Sequence, residues 1–126
     1  MPDAAVRMAR FLLVLQPPEG LTPNAMLGSL TPLLEGLQAE VDHCTPAHLS
    51  ALLKGAGEAQ RMQLFADVQA KTDGPVLELV LLSREAMGTG APVTRSTFER
   101  LVHLAAEHLA NCRPVFRSDR DGALPA

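Results

Sequence analysis

Two neighbouring stretches carry the clearest hydrophobic pattern in the chain. From residue 62 to residue 71, apolar positions alternate with a second set that is polar except for Phe65. This alternation is typical of a strand with one buried and one solvent-exposed face. Residues 76–82 (VLELVLL) are almost wholly apolar, and residues 72–75 between the two stretches contain an Asp-Gly pair. The pattern predicts an antiparallel hairpin.

Two further segments are predicted to be strands. Residues 8–16 (MARFLLVLQ) are apolar on both faces through their middle, and residues 113–118 (RPVFRS) form a short final strand. Continuous apolar strands belong in the interior of a sheet, so residues 8–16 and 76–82 are predicted to be central. The alternating strand at 62–71 is predicted at one edge. Pro114 places the last strand at the other edge, because proline cannot donate to a ladder.

A helix is predicted to begin at Thr22-Pro23, with the hydroxyl at the N-cap and the proline in the first turn. Its apolar stripe recurs at steps of three and four residues and consists of Leu27, Leu30, Leu34, Leu37 and Val41. Thr31-Pro32 interrupts this stripe. The helix therefore either kinks at Pro32 or restarts there with Thr31 as a second cap.

Two more helix starts are predicted. Thr45-Pro46 repeats the first signal and opens a short helix over residues 47–54, which Gly55 and Gly57 end. Ser96 with Glu99 has the form of a capping box at the start of the last helix. That helix is predicted to bury Phe98, Leu101, Val102, Ala105, Leu109 and Cys112.

The predicted order is strand, helix with an added short helix, strand, strand, helix, strand. This order resembles the ferredoxin-like split βαβ arrangement, an α+β fold. We therefore expect a four-stranded antiparallel sheet with the helices on one face plus the short extra helix. Residues 1–118 are expected to form a single domain and residues 119–126 a mobile C-terminal tail. The resemblance is to a superfold, so it implies no function.

The two faces of the strand at 76–82 suggest a binding surface. Leu77, Leu79 and Leu81 are predicted to face the helices, so the opposite face carries Val76, Glu78, Val80 and Leu82, joined by alternate residues of 11–15. An apolar face of this kind is hard to leave in water. We expect either a homodimer stacked sheet to sheet or a binding surface for an apolar segment of another protein or an apolar ligand. A dimer that encloses a cleft would satisfy both.

Glu78 is the charged residue on this face. We expect it to pair with Lys71 or Arg84, or to lie at the rim of an interface. A carboxyl desolvated among aliphatic side chains would have a raised pKa and could serve as a general acid or base. No second catalytic partner accompanies it, so no catalytic residue is predicted. The alternative is a small enzyme of the dimeric ferredoxin-like type with its cleft on the sheet face.

Histidines and cysteines suggest a metal site only weakly. His108 and Cys112 are four residues apart on the predicted last helix, and a second group consists of His43, Cys44 and His48. Thiolate and imidazole suit zinc or copper. However, no compact quartet is present, and Cys112 lies on the core stripe, where a free cysteine acts as a small hydrophobe. We predict neither a metal nor a cofactor.

The loop at residues 87–92 (MGTGAP) precedes the last helix and could cradle an anion with the help of Arg84 and Arg95. It lacks the lysine of a P-loop and the third glycine of a dinucleotide loop. We interpret it as a flexible connection between strand and helix.

Charge and composition narrow the function classes. The net charge is −3, and the chain has no Trp or Tyr and only 4 Phe, so nucleic-acid binding is not expected. The longest apolar run, residues 11–15, is too short for a membrane span or a signal peptide, and no membrane association is expected.

The two cysteines have no metal-binding spacing, which favours a reduced, cytoplasmic protein, with one long-range disulfide as the alternative. The function that fits best is a small cytoplasmic protein-binding module: a dimeric regulator, adaptor or chaperone-like protein.

Overall fold

The structure is a computed structural model and describes residues 8–53, 61–72, 74–86 and 90–118. The predicted tail at 119–126, the glycines expected to end the short helix, and Asp73 of the predicted turn lie outside these residues. The elements follow in the order β1 (Met8–Gln16), α1 (Pro23–Gly28), α2 (Thr31–Gly36), β2 (Ala39–Thr45), β3 (His48–Leu53), β4 (Met62–Gln69), β5 (Val76–Ala86), α3 (Pro92–His108) and β6 (Arg113–Ser118).

The six strands form one antiparallel sheet in the order β2-β3-β4-β5-β1-β6. Strands β2 to β5 follow one another as a meander, and β1 lies between β5 and β6. The predicted four-stranded ferredoxin-like α+β fold is therefore wrong, because nearly half of the described residues lie in a six-stranded sheet. The interior positions predicted for β1 and β5 and the edge position predicted for β6 are confirmed. The edge position predicted for β4 is wrong, since β4 lies between β3 and β5.

The extra strand β3 lies where the sequence predicted a short helix. Strand β2 begins at the end of the stripe predicted to be helical and continues through residues for which no element was predicted. Thr45 pairs with His48, so Pro46 and Ala47 form a two-residue connection between the strands. Thr45-Pro46 therefore starts a hairpin turn, another position that suits the fixed φ of proline. The side chains of β3 alternate into the core through Leu49, Ala51 and Leu53. This two-residue period marks a strand, and the predicted short helix is wrong.

Thr22 caps α1 as predicted, because its Oγ1 accepts a hydrogen bond from the Ala25 N–H at 3.1 Å. The predicted single stripe is divided between two short helices. The chain restarts at Thr31-Pro32, but Leu30 and not Thr31 occupies the N-cap of α2. The stripe ends before Val41, which lies in β2.

Helices α2 and α3 are joined at Gly36, the last residue of α2. The Arg100 guanidinium of α3 donates two hydrogen bonds to the Gly36 carbonyl oxygen, at 3.1 and 3.0 Å. A Cβ at Gly36 would lie 2.9 Å from both Cδ atoms of Leu104. The absence of a side chain at Gly36 therefore allows the two helices to approach closely.

Helix α3 begins at Pro92, so the capping box predicted at Ser96 is wrong. Its N-cap is Ala91, with φ 47, which has no side-chain acceptor. Glu85 of β5 supplies one instead. Its carboxylate accepts hydrogen bonds from the Val93 N–H at 3.0 Å, the Thr94 N–H at 2.7 Å and the Thr94 hydroxyl at 2.6 Å.

Glu85 is 9% exposed, and burial acts to raise the pKa of its carboxyl. The hydrogen bonds from the Thr94 hydroxyl and from the backbone N–H groups of Thr94 and Val93 outweigh burial and lower the pKa below its ordinary value. Ser83 completes the network: its hydroxyl lies 2.6 Å from the Thr94 hydroxyl and accepts the Glu85 N–H at 2.9 Å.

The core lies between the helices and one face of the sheet. Phe11 of β1 and Phe98 of α3 form its centre, with ring centroids 5.4 Å apart, and both are fully buried. Leucines from α1, α2 and the strands complete the same cluster. Leu101 and Ala105 are buried as predicted, whereas Cys112 is only partly buried beside the cluster. No helix among the described residues is long and apolar enough to cross a membrane.

Candidate binding face

The face of the sheet opposite the helices, called the open face, carries the predicted binding residues. Strand β5 shows the division: Leu77, Leu79 and Leu81 point to the core and are at most 1% exposed. The alternate side chains point the other way. The structure therefore places Val76, Glu78, Val80 and Leu82 together on the open face.

Neighbouring strands extend this set into a continuous apolar surface. Val80 pairs with Leu12 of β1 and Phe65 of β4, and Val14 pairs with Phe116 of β6. With Leu82 they form what we call the apolar strip: Leu12, Val14, Phe65, Val80, Leu82 and Phe116. All of these except Val14, which is 9% exposed, are half-buried.

Three arginines lie at one end of the apolar strip, which we call the arginine end. Arg61 and Arg84 line a hollow of about 250 Å³ together with Leu82. Arg10 pairs with Leu82 from the other side. Within the described ranges none of these three guanidinium groups forms an ion pair or a side-chain hydrogen bond. Like charges on neighbouring strands repel one another, so these arginines, which have no carboxylate partner among the described residues, oppose one another across the sheet.

Two carboxylates, Asp67 and Glu78, form the opposite, acidic end. They are directly paired across β4 and β5. Asp67 Oδ1 lies 2.6 Å from His48 Nδ1. The expected ion pair of Glu78 with Lys71 or Arg84 is not formed in the described part of the chain. His48, Asp67 and Glu78 thus lie side by side across three strands.

The group of His43, Cys44 and His48 lies in the β2–β3 hairpin and not before or within a short helix. The ring centroids of His43 and His48 are 6.0 Å apart, and the Cys44 thiol donates to the Thr45 carbonyl at 3.6 Å. Among the described residues, no group of three or more His, Cys, Asp or Glu side chains could hold a metal ion.

The second pair considered for a metal, His108 and Cys112, does not share a helix face, because α3 ends at His108. His108 Nε2 lies 3.3 Å from Glu107 Oε1. Burial raises the pKa of the Cys112 thiol, which keeps it neutral. Both Cys44 and Cys112 are free thiols.

The start of α3 is the candidate anion site that the sequence offers. Residues 87–89 of that loop lie outside the described residues. The N–H groups of Val93 and Thr94 are bound by the Glu85 carboxylate, so the chain supplies its own anion. Arg95 Nε donates to the Gly90 carbonyl at 3.4 Å.

No protein-family model matches this chain, and no curated protein shows significant similarity to it.

Sequence reasoning found the residues that share a face of β5 but missed their neighbours. The sequence pattern indicates Arg84 only as a partner for Glu78 and as an aid to the anion loop, and it assigns no role to Arg10 or Arg61. One signal was available: Arg61 shares the two-residue period of Phe65 and Asp67, which places all three on one face. The strand register was needed to bring Arg10 to the same end.

Proposed function

We propose that this protein is a small protein-binding module that uses its open face as the contact surface. The observation that carries the proposal is the apolar strip on the side of the sheet away from the helices. At one end of it lies an arginine cluster that forms no ion pair among the described residues.

The physical reason is the free energy of the exposed surface. Each Å² of apolar surface removed from water contributes about 25 cal/mol, so covering several aliphatic and aromatic side chains stabilises a complex substantially. Interfaces commonly have such an apolar centre and a charged rim. The acidic and arginine ends would provide that rim and fix the orientation of the partner.

A binding module of this size fits a regulator, an adaptor or a chaperone-like protein. We propose that it works in the cytoplasm. The two free thiols support this compartment, because thiols persist in a reducing environment.

A second candidate function, an enzyme with its site on the open face, is favoured by the row of His48, Asp67 and Glu78. The short contact between Asp67 and His48 Nδ1 would orient the ring and leave Nε2 available to exchange a proton with a substrate. Glu78 beside this pair would then supply a second ionisable group.

One set of variants tests both functions. Val80→Asp places a charge in the middle of the apolar strip, whereas Glu78→Gln keeps the size of the side chain and removes its charge. A binding module predicts that Val80→Asp weakens binding at least about tenfold, while Glu78→Gln changes it less than about threefold. An enzyme predicts that Glu78→Gln is the more damaging change for turnover.

The readouts are the dissociation constant for self-association, the quantitative capture of host proteins, and turnover on a substrate panel. Val41→Asp is the matched control, because Val41 is 44% exposed and lies on the edge strand β2, away from the apolar strip. If Val80→Asp, once shown to be folded, self-associates and captures the same proteins as wild type, the binding proposal is wrong.

A further inference from the structure

We infer that the occupant of the open face is a second copy of this chain, packed sheet to sheet about a two-fold axis that runs across the strands between Val80 and Leu82. This inference rests on the proposed function and names its partner. It follows from the way charge is distributed along the face.

The open face is complementary to itself under this rotation. The axis lies between the two sheets and runs across the strands, so each strand stacks on the same strand of the second copy in the reversed direction. A residue on one side of the axis therefore meets the residue of the second copy that lies equally far on the other side. On β5 the axis brings Val80 against Leu82 of the second copy and Glu78 against Arg84. On β4 the register places Asp67 beside Glu78, and Arg61 shares a hollow with Arg84. The same rotation therefore brings Asp67 against Arg61.

The charges agree with this arrangement. The arginine end has no partner within the described residues, and the acidic end contains one carboxylate, Glu78, that is also without one. Two-fold packing brings Arg84 against Glu78 and Arg61 against Asp67, twice in each dimer. Arg10, which pairs with Leu82, comes against Leu12 of the second copy instead and gains no carboxylate. Aligned packed sheets are rotated by about 30° relative to each other. Because the acidic residues occupy two adjacent strands, an arginine displaced by this rotation still lies near a carboxylate.

The size of the open face suits a dimer. Five strands about 4.8 Å apart and about eight residues long at ~3.4 Å each give a footprint on the order of 650 Å². Stable interfaces bury about 600–1,000 Å² on each partner. An apolar centre with charged ends is also the composition expected of such an interface.

A charge exchange tests the arrangement. Arg84→Glu alone sets two carboxylates against each other across the interface, and Glu78→Arg alone sets two arginines against each other. Each single variant should weaken the dimer at least about tenfold, because like charges across an interface oppose association. An equimolar mixture of the two variants should form a heterodimer in which the opposed charges are again of opposite sign. The double variant should form a homodimer again.

Sedimentation velocity measures the dissociation constant, and native mass spectrometry of a mixture with one isotopically labelled variant identifies the heterodimer. Glu107→Arg is the matched control, because Glu107 is exposed and lies on α3, on the other side of the sheet. It should dimerise as wild type does. If either reversal impairs folding, judged by circular dichroism and thermal unfolding, Arg84→Gln and Glu78→Gln replace them. Each neutral variant should then reduce the salt dependence of the dissociation constant.

The outcomes separate this inference from the proposed function. Recovery in both the mixture and the double variant supports the two-fold arrangement. A dimer that survives both reversals, loses affinity without recovery, or keeps its salt dependence in the neutral variants overturns it. A wild-type chain that remains monomeric at high micromolar concentration, while Val80→Asp still abolishes capture of another protein, overturns the inference and leaves the proposed function standing.

Discussion

Replacing Glu85 should destabilise the whole fold, although the residue lies near the end of a strand and far from the centre of the core. Its carboxylate is the acceptor for the first N–H groups of α3, whose N-cap Ala91 has no side-chain acceptor. Glu85→Ala removes this acceptor and leaves the helix start without a replacement.

The expected loss of stability follows from the burial of the two N–H donors, those of Val93 and Thr94. Val93 is 40% exposed, so water can replace the carboxylate at its N–H. Thr94 is fully buried, and an unpaired buried N–H costs about 1–3 kcal/mol. Loss of the negative charge at the helix N-terminus adds about 0.3–1 kcal/mol. We expect Glu85→Ala to lower the free energy of unfolding by about 1–4 kcal/mol. Glu85→Gln keeps one acceptor oxygen and should cost about 1 kcal/mol.

Urea denaturation at several pH values provides the assay. The pKa of Glu85 is lower in the folded protein than its ordinary value, so the carboxylate stabilises the fold above the glutamate pKa of the unfolded chain, about 4.3. That contribution is lost as the pH falls through the lower folded pKa. The difference between wild type and Glu85→Gln should therefore be largest at neutral pH and should shrink in acid.

Glu107 provides the controls for this experiment, because it is exposed and lies in the last turn of α3. Glu107→Gln and Glu107→Ala should each change stability by less than about 0.5 kcal/mol. The reasoning is refuted if Glu85→Ala costs no more than Glu107→Ala, or if the Glu85→Gln difference does not shrink as the pH falls.

Two further predictions concern the helices. Ser96 is exposed inside α3, so Ser96→Ala should leave the free energy of unfolding unchanged or raise it by a few tenths of a kcal/mol, since alanine is the better helix former; a loss near 1 kcal/mol in urea denaturation would mean that Ser96 does cap a helix. Gly36→Ala should cost up to about 1 kcal/mol, because its Cβ would lie 2.9 Å from both Cδ atoms of the buried Leu104 and force that side chain to shift. Gly28→Ala is its matched control, because a Cβ there has nothing within 4 Å, and equal effects of the two changes would contradict the packing argument.

The sequence predicted those strands whose pattern is strong enough to exclude a helix. Met8–Gln16 and Arg113–Ser118 were predicted with the bounds that the structure has. The predicted hairpin is present, although its second strand runs on to Ala86. Residues 39–53 were mispredicted for two reasons. Thr-Pro is compatible with both a helix start and a turn, and the register shift between Val41 and His43 interrupts the alternation that would have marked β2.

The candidate site was predictable only along one strand. A two-residue period places Val76, Glu78, Val80 and Leu82 on a common face whatever the topology. Which charges lie beside them depends on how β5 aligns with β1 and β4, and a single sequence does not specify that alignment. The start of α3 shows the same limit, because Glu85 caps a helix from another element of the fold.

The position of β1 has a consequence for how the sheet assembles. Leu12 pairs with Val80 on one side and with Ser118 on the other, so β1 does not pair with β2, the strand that follows it in the chain. The meander β2–β5 needs only short connections and can form early, whereas β1 must wait for strands made much later. Pairings that close such long loops slow folding. During synthesis, the apolar segment FLLVL of β1 therefore stays unpaired until β5 has left the ribosome, which makes this segment an aggregation hazard of the nascent chain.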